Sequence, residues 1–384
     1  MASTMCSSTV CPSSGRDEPS TTCTTHRRVE PFVLTSSAFP LTSPRDPMNR
    51  PPEEFVRLDA DQLTDFATQC LHKAGLLGDH AAQLARLLVN SDLRGVVSHG
   101  TRALPGYCRA VSTGKVNARP EISVVQETDT SVLLDGDGSL GYAPTMQLTE
   151  MCIAKAKEKG VAVGAVRAIG HYGSAGHYVR RAMEEDLIGF SVQGAYPQYY
   201  ISNEGKRAAQ YGNPPLCFGL PAAENKAPLI LDGATCILAD YQKGEEFEHL
   251  ETMIPAAFFK SIGYTAVGTA LGGACVGQAS ERAQQVHERW PGARLGAMVW
   301  LLDAGLFAPV MQVREAITQM ADLAAEQMLP VGNHEEIMLP GGVEHRLEQS
   351  YRAEGIKMGA EQLERLHEIG QELGVAVTWD SEFA

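Results

Sequence analysis

The middle of the chain alternates short apolar runs with longer amphipathic segments, and this alternation restricts the possible folds most. Ser131–Leu134, Val161–Val166 and Leu187–Val192 have the composition of strands, and helical periodicity separates them over 143–159 and 174–185. Such an alternation places helices against a sheet. We therefore predict a central α/β region, and three later apolar runs extend its sheet, at 215–220, 228–232 and 295–302.

Both ends of the ordered chain are predicted to be helical. Residues 60–74 place Leu63, Phe66, Ala67 and Cys70 on one side of a helix. The other predicted helices are 79–94 with Asp79 as its N-cap, 102–112, 264–277, 311–328 and most of 345–374.

These patterns divide the chain into four parts. Residues 1–50 are rich in Ser, Thr, Pro and Cys without periodicity, which predicts a disordered tail. A helical domain is expected over 51–120 and an α/β domain over 121–330. Residues 331–384 are expected to form a C-terminal helical segment that packs on the helical domain.

Composition narrows the class of partner. The net charge of −14 argues against a nucleic acid or an anionic membrane surface, because phosphate binding needs clustered Lys and Arg. The chain shows no apolar run of roughly 20 residues and no secretory signal. Its nine cysteines include no C-x-x-C pair, so neither a metal site nor a disulfide framework is indicated. We expect free thiols, a cytoplasmic location and a small-molecule substrate.

One glycine motif needs a cautious interpretation. Gly136-Asp137-Gly138-Ser139-Leu140-Gly141 follows a predicted strand and precedes a helix, as a dinucleotide fingerprint does. However, Asp135 and Asp137 place carboxylates where a pyrophosphate would lie, and the next strand ends without an acid for a ribose hydroxyl. The motif therefore favours a turn with a helix cap over a Rossmann site.

Two histidine segments are the best candidates for chemistry. Gly170–His177 joins a strand to a helix and contains His171 and His177, where small residues and a helix N-terminus favour an anionic ligand. Ser98-His99-Gly100 follows a predicted helix. Structural roles, such as a helix cap or a packed imidazole, remain open for both segments. Asp232–Thr235, Lys260 and Leu339–Gly342 are weaker candidates, for which a plain turn or an exposed lysine is the alternative.

Taken together, these segments resemble the type-2 malate/L-lactate dehydrogenase family, which includes ureidoglycolate dehydrogenase and diketogulonate reductase. The likeness extends from about residue 55 to about residue 370. Its order and spacing are more specific than any single motif. The segments that support it are Ser98-His99-Gly100, Leu104–Tyr107, Thr113–Asn117, Leu134–Gly136 with Gly141, Lys155–Lys157, Gly160–Ala162, His171–Gly173, Leu187–Gly189, Asp232–Thr235, Lys260 with Gly263, and Leu339–Gly341.

The resemblance implies a non-Rossmann NAD(P)-binding fold and a homodimer. A mixed sheet would bind the cofactor beside helical elements from both chain ends. His99 would donate a proton to the substrate carbonyl while NAD(P)H delivers hydride, and His171, Ser98 and Arg102 are the other catalytic candidates. The implied cofactor contacts are Asp232, Gly233, Ala234, Phe259, Lys260, Gly341, Gly342 and Val343.

The chain departs from the family pattern in its loops. The family arginine four residues after the histidine is Ala103 here, and Arg102 stands one residue earlier, which turns it by about 100° on a helix. A Gly-Thr-Asn-Pro segment appears as Gly212-Asn213-Pro214-Pro215, where proline removes a donor.

Three functions are compatible with this pattern. The first is an NAD(P)H-dependent oxidoreductase that reduces a 2-oxo acid or a related carbonyl or imine, or oxidises the 2-hydroxy acid. The second keeps the histidines for proton transfer without a redox step, as in an isomerase, cyclase or decarboxylase. The third is a ligand-binding protein on the same scaffold without catalysis.

Overall fold

The structure is a computed structural model that describes residues 51–195, 213–237, 245–330 and 335–379, with backbone alone at 245–248. The predicted tail over 1–50 and Gly212 lie outside the described residues. The predicted domain boundaries stay predictions.

Seven strands of the described residues form one mixed sheet. Their spatial order is β2-β3-β4-β8-β5-β6-β7. Only β3 and β4 pair in parallel, while every other neighbouring pair is antiparallel. The predicted α/β class with a mixed, non-Rossmann sheet is therefore confirmed. The strands are β2 (Ser123–Glu127), β3 (Ser131–Asp135), β4 (Val161–Ile169), β5 (Leu187–Ala195), β6 (Pro215–Leu220), β7 (Leu229–Ala234) and β8 (Leu295–Asp303).

The helices flank this sheet and continue to both ends of the described chain. They are α1 (Ala60–Lys73), α2 (Gly78–Leu93), α3 (Leu104–Ser112), α4 (Tyr142–Lys159), α5 (Gly176–Met183), α6 (Glu245–Met253), α7 (Pro255–Thr269), α8 (Glu281–Arg289), α9 (Val310–Gln327), α10 (Gly342–Glu354) and α11 (Ala360–Leu373).

The two chain ends meet in a helical part beside the sheet. A short antiparallel ladder joins β1 (Val56–Leu58) to β9 (Ile356–Met358), with Val56 opposite Met358. Phe66 of α1 and Leu366 of α11 belong to the same buried cluster. The predicted helical layer built from both chain ends is therefore confirmed, because each end supplies one apolar face that the other end covers.

Local chemistry explains most helix limits and corrects one of them. Asp59 caps α1 by accepting the N–H groups of Asp61 and Gln62. The predicted N-cap role of Asp79 is wrong, because α2 already begins at Gly78 and the Asp79 carboxylate accepts only the adjacent His80 N–H.

The helix predicted over 264–277 is also misplaced. Helix α7 spans Pro255–Thr269 and continues as a π-helical turn over Ala270–Ala274, so Lys260 lies inside a helix and not in a loop before one. Gly263 lies inside this helix, whereas the prediction began the helix directly after that glycine. An added Cβ at Gly272 would lie 2.2 Å from the Gly194 backbone nitrogen, so glycine permits this turn to pack directly on β5.

The glycine motif at 136–141 is a turn, as expected. The Asp137 carboxylate accepts hydrogen bonds from the Glu121 N–H and the Asn117 amide, and it pairs with Arg282. Asp135 pairs with Arg167 at 3.2 Å. These carboxylates therefore stabilise the protein itself and occupy the space that a pyrophosphate would need.

Candidate active site

A cavity of about 370 Å³ opens between the helical part and the β7 edge of the sheet. Its lining residues come from the end of α2, the loops before α3, α5 and β6, α5 itself, strands β5 to β8, and α10. The lining side chains that bear polar or ionisable groups are Asn90, Ser91, Arg94, Ser98, His99, His171, Ser174, His177, Arg180, Gln193, Asn213, Asp232 and Glu344.

A buried carboxylate at the end of α2 holds the His99 segment. The Asp92 Oδ2 atom accepts hydrogen bonds from the Thr101 N–H at 2.8 Å and the Thr101 hydroxyl at 2.7 Å. The Gln362 amide of α11 donates to Oδ1 at 3.2 Å. Burial raises the pKa of Asp92 to about 7, although these hydrogen bonds oppose the shift. Asp92 therefore fixes the short turns around His99, and the sequence offers no signal for this contact.

His99 itself is oriented by its neighbour. The Ser98 hydroxyl lies 2.9 Å from His99 Nδ1, so Nε2 is the ring nitrogen available to a ligand. Burial lowers the pKa of His99, while the negative charge of Asp232 acts in the opposite direction. The imidazole can therefore bind and release a proton, and its protonation equilibrium depends on the charge of the ligand in the cavity.

His171 is held as a neutral ring. The Gly173 N–H donates to its Nδ1 at 3.3 Å, and the Tyr107 hydroxyl lies 2.7 Å from the same nitrogen. Because an N–H can only donate, Nδ1 is unprotonated and the ring proton resides on Nε2. The Tyr107 hydroxyl then donates to Nδ1, and the Tyr142 hydroxyl supports it at 3.0 Å.

The electrostatic surroundings of His171 agree with this tautomer. Burial and the neighbouring His99 lower the pKa of His171 to about 4, so the ring is uncharged at neutral pH. The rings of His99 and His171 stack with centroids 5.5 Å apart. The pair therefore consists of one titratable imidazole and one neutral hydrogen-bond donor.

A cationic wall lies beside the two histidines. Arg94 pairs with Glu348 of α10 at 2.9 Å, and the Ser91 hydroxyl lies 3.3 Å from His177 Nε2. Arg180 follows His177 by three residues on α5, so both side chains face the same side of the helix. Sequence inspection missed Arg94 and Arg180, although the i, i+3 spacing from His177 was a signal for Arg180.

The structure brings some of the predicted catalytic residues together and separates one. Ser98, His99 and His171 line the cavity. Arg102 instead lies in a short turn beside a neighbouring groove, which His171 also lines, and it pairs with Glu361 of α11 at 3.0 Å. The change of register noted in the sequence explains this placement.

Asp232 also makes local hydrogen bonds at the start of α5. Its Oδ2 accepts the Ser174 hydroxyl at 2.6 Å and the Gly176 N–H at 2.8 Å. The helix N-terminus that the sequence marked as a site for an anionic ligand is therefore occupied by a carboxylate of the chain itself.

The predicted cofactor segments gather around β7. Asp232 and Ala234 line the cavity opposite His99, with Gly233 between them on the strand. At the start of β7, the Ile230 N–H donates to Pro340 O at 2.9 Å, which places Gly341, Gly342 and Val343 beside this strand.

At the other end of β7, helix α7 is fastened to the strand. The Ser261 hydroxyl donates to Thr235 O, and Phe259 and Lys260 lie exposed on the same helix. This hydrogen bond therefore holds the candidate cofactor residues of α7 next to those of β7.

Two further properties concern the described ranges only. No helix in them combines the length and apolarity needed to cross a bilayer. No three His, Cys, Asp or Glu side chains of these residues are arranged to hold a metal ion.

Comparison with known proteins shows that the chain is similar to one family of dehydrogenases. The family model described as malate/L-lactate dehydrogenase matches residues 58–244. The malate dehydrogenase of Pyrococcus horikoshii is 34% identical over 186 residues, which are 48% of this chain and 51% of that protein. The L-sulfolactate dehydrogenase of Methanocaldococcus jannaschii is 27% identical over 337 residues, which are 80% of this chain and 94% of that protein.

The match to the first of these relatives thus spans about half of its length. The likeness in structure extends further. The solved structure of malate dehydrogenase from Pyrococcus horikoshii OT3 superposes with a TM-score of 0.71 at 26% identity, over 85% of this chain and 98% of that one. The residues that the family model matches include both histidine segments. Residues 58–244 thus resemble the malate/L-lactate dehydrogenase family in sequence, and the chain has the fold of a solved malate dehydrogenase.

Proposed function

We propose that the protein is an NAD(P)H-dependent oxidoreductase that reduces a 2-oxo acid, or a related carbonyl or imine, and oxidises the corresponding 2-hydroxy acid in reverse. The observation that supports this proposal is the cavity in which His99 and His171 face strand β7. Sequence similarity adds independent support, because the relatives that match are named dehydrogenases.

His99 is the proposed proton donor to the developing alkoxide. Ser98 holds Nδ1, so Nε2 can approach a carbonyl oxygen in the cavity. His171 presents a neutral Nε2–H, which can donate a hydrogen bond to the same oxygen. One histidine would therefore transfer the proton, while the other polarises the carbonyl.

The cofactor site is proposed along β7. Asp232, Gly233 and Ala234 would support the nicotinamide ring, and Phe259, Lys260 and Gly341 to Val343 would contact the remainder. A bound nicotinamide supplies or accepts the hydride. The residues that line the cavity would orient the nucleotide and the substrate, and they would exclude water from its inner side.

Titration with NADH and NADPH tests the redox part of the proposal. We expect the fluorescence of at least one nucleotide to change with a Kd below the millimolar range, and oxidation of that nucleotide when a 2-oxo acid is added. The rates of this oxidation with lactate-type substrates, malate-type substrates and a cyclic imine acid would show which substrate class the protein prefers. The proposal is wrong if neither nucleotide binds at millimolar concentration; proton transfer without redox would then remain for the histidines.

We also propose that the protein is a cytoplasmic homodimer. Apolar side chains lie opposite one another across one face of the sheet, and four of them are 37–49% exposed. This row consists of Val163, Trp300, Phe190, Phe218 and Leu231. A second copy would cover it. The cysteines of the described residues are free thiols, which supports a reducing compartment.

Light scattering tests the dimer. The full chain should have twice the monomer mass, and Trp300→Glu should shift it to the monomer, because the new carboxylate would be buried without a partner. Glu315→Gln on α9, away from this row, is the control. A wild-type protein that remains monomeric at tens of micromolar would contradict this proposal.

A further inference from the structure

Arg180 differs from the other arginines around the cavity. It lies on α5, one turn after His177, and lines the same cavity as His99 and His171. Its guanidinium makes no hydrogen bond or ion pair with any residue that the structure describes. The side chain is only partly accessible, and burial lowers its pKa. A cation thus lies in the wall of the cavity without an ion-paired or hydrogen-bonded partner among the described residues, and the carboxylates of Glu348, Glu344 and Asp232 act on it only from beyond contact distance.

The neighbouring arginines are already paired. Arg94 contacts Glu348 at 2.9 Å, and Arg102 contacts Glu361 at 3.0 Å outside the cavity. Arg181, the next residue on α5, points away from the cavity and contacts Glu150 at 2.7 Å. Among these four residues, Arg180 alone combines a place in the cavity wall with a free guanidinium.

The acidic residues of the cavity do not neutralise Arg180 by contact. Asp232 lies nearby, since a methyl group added at Gly176 would be 3.0 Å from Asp232 Oδ2 and 3.7 Å from Arg180 Nε. However, the Asp232 Oδ2 atom is already used by the Ser174 hydroxyl and the Gly176 N–H. Glu344 is the other carboxylate in the cavity wall, and it lies beyond ion-pair distance of Arg180.

Burying part of a guanidinium without a hydrogen-bonding partner costs free energy, and a bound ligand can supply that partner. Its planar fork of N–H groups matches a carboxylate through two parallel hydrogen bonds. The two acidic residues in the wall disfavour a ligand of higher charge, such as a phosphate dianion. A single carboxylate therefore fits this position best.

We propose that Arg180 binds the carboxylate of the substrate and so directs its carbonyl towards His99 and His171. This makes Arg180 a specificity-determining residue for 2-oxo or 2-imino acids over neutral carbonyl compounds. The assignment of the adjacent carbonyl rests on the proposed function, whereas carboxylate binding by Arg180 does not.

Calorimetric titration of the full-length protein tests the assignment. The probes are oxamate, a carboxylate with an adjacent carbonyl, and oxamide, its neutral counterpart, each with and without NADH or NADPH. Arg180→Gln should raise the Kd of oxamate about 10- to 100-fold, as expected for a lost charge-assisted hydrogen-bonded pair. Arg180→Lys should recover part of the loss, because it restores the charge without the fork. The binding of oxamide should change less than twofold.

Arg181→Gln is the matched control, since it removes the same charge from the same helix outside the cavity. It should leave the Kd of oxamate within about twofold of wild type, as surface pairs contribute little. If Arg180→Gln does not fold, chemical modification of the wild type replaces it. Oxamate should then protect Arg180, but not Arg181, from phenylglyoxal, as read by mass spectrometry.

Several outcomes overturn the assignment. The first is an unchanged oxamate Kd in Arg180→Gln. The second is no oxamate binding by the wild type at 10 mM, about a hundred times the Kd expected for the wild type. The third is no protection of Arg180 from phenylglyoxal by oxamate. An equal loss of nucleotide affinity would assign Arg180 to the cofactor instead. Oxamate binding that depends on Arg180, in a protein that binds neither nucleotide, would support the assignment and reject the redox function.

Discussion

His99→Gln is expected to lower kcat for carbonyl reduction by about 10²- to 10⁴-fold, the range for loss of a general acid. Gln can still accept or donate a hydrogen bond, but it cannot transfer a proton to the alkoxide. The Kd of the nucleotide should change little, because the proposed ring support comes from β7 and not from His99. Stopped-flow turnover and nucleotide titration measure the two effects separately.

The pH profile gives a sharper test of the same role. Reduction needs the imidazolium, so kcat/KM should fall as the pH rises through the pKa of His99, which burial places below its ordinary value of 6.5. Oxidation needs the neutral ring and should show the opposite trend. Asp232→Asn removes the charge that supports the imidazolium, so the midpoint of both profiles should move to lower pH.

His171→Gln is the comparison variant for this experiment. Its ring is already neutral, with a pKa of about 4, so it contributes a hydrogen bond and not a proton. We expect a smaller loss of kcat and an unchanged pH midpoint. A His99→Gln protein that retains the wild-type pH profile would show that another group donates the proton.

Gly100→Ala is expected to destabilise the protein by about 2–3 kcal/mol and to abolish most turnover. An added Cβ would lie 1.9 Å from Asp92 Oδ1, and Asp92 is buried beneath the His99 segment. Either the carboxylate moves and loses its bonds to Thr101, or the His99 segment moves away. Both responses displace the proposed proton donor.

Gly106→Ala is the matched control, six residues further along the chain. Gly106 lies exposed in helix α3, and an added Cβ would meet nothing within 4 Å. Alanine should therefore stabilise the helix by about 0.5–1 kcal/mol. Urea denaturation measures both changes. Equal effects of the two substitutions would contradict the proposed packing of Gly100 on Asp92.

The sequence predicted the elements whose signals are local. The alternation from Ser131 to Val192 indicated strands and helices that the structure contains, with longer limits for β4 and β5. Short or strongly polar elements gave no such signal. Strand β2 is exposed along its whole length, and α8 buries few side chains, so neither shows a clear apolar period.

For the candidate site, too, the sequence identified the residues that lie in segments with a local signal. Ser98, His99, His171 and Asp232 were recognisable because each lies in a short segment of distinctive composition, and the structure places all four around one cavity. Arg102 does not line this cavity, and its role stays a prediction; it lies in a neighbouring groove that His171 also lines. Its partner Glu361 lies 259 residues away in the chain.

Local composition was thus sufficient for the alternation of strands and helices, for the acidic surface and for the two histidine segments. The tertiary structure decided which groups are charged and what each one contacts. Asp92 became the support of His99 through Thr101 and through Gln362, which is 270 residues distant. Asp232 became a helix cap, and Arg180 was left without a partner among the residues that the structure describes. These outcomes depend on burial and on distances between remote segments, because the free energy of a charge depends on its surroundings in space and not on its neighbours in the chain.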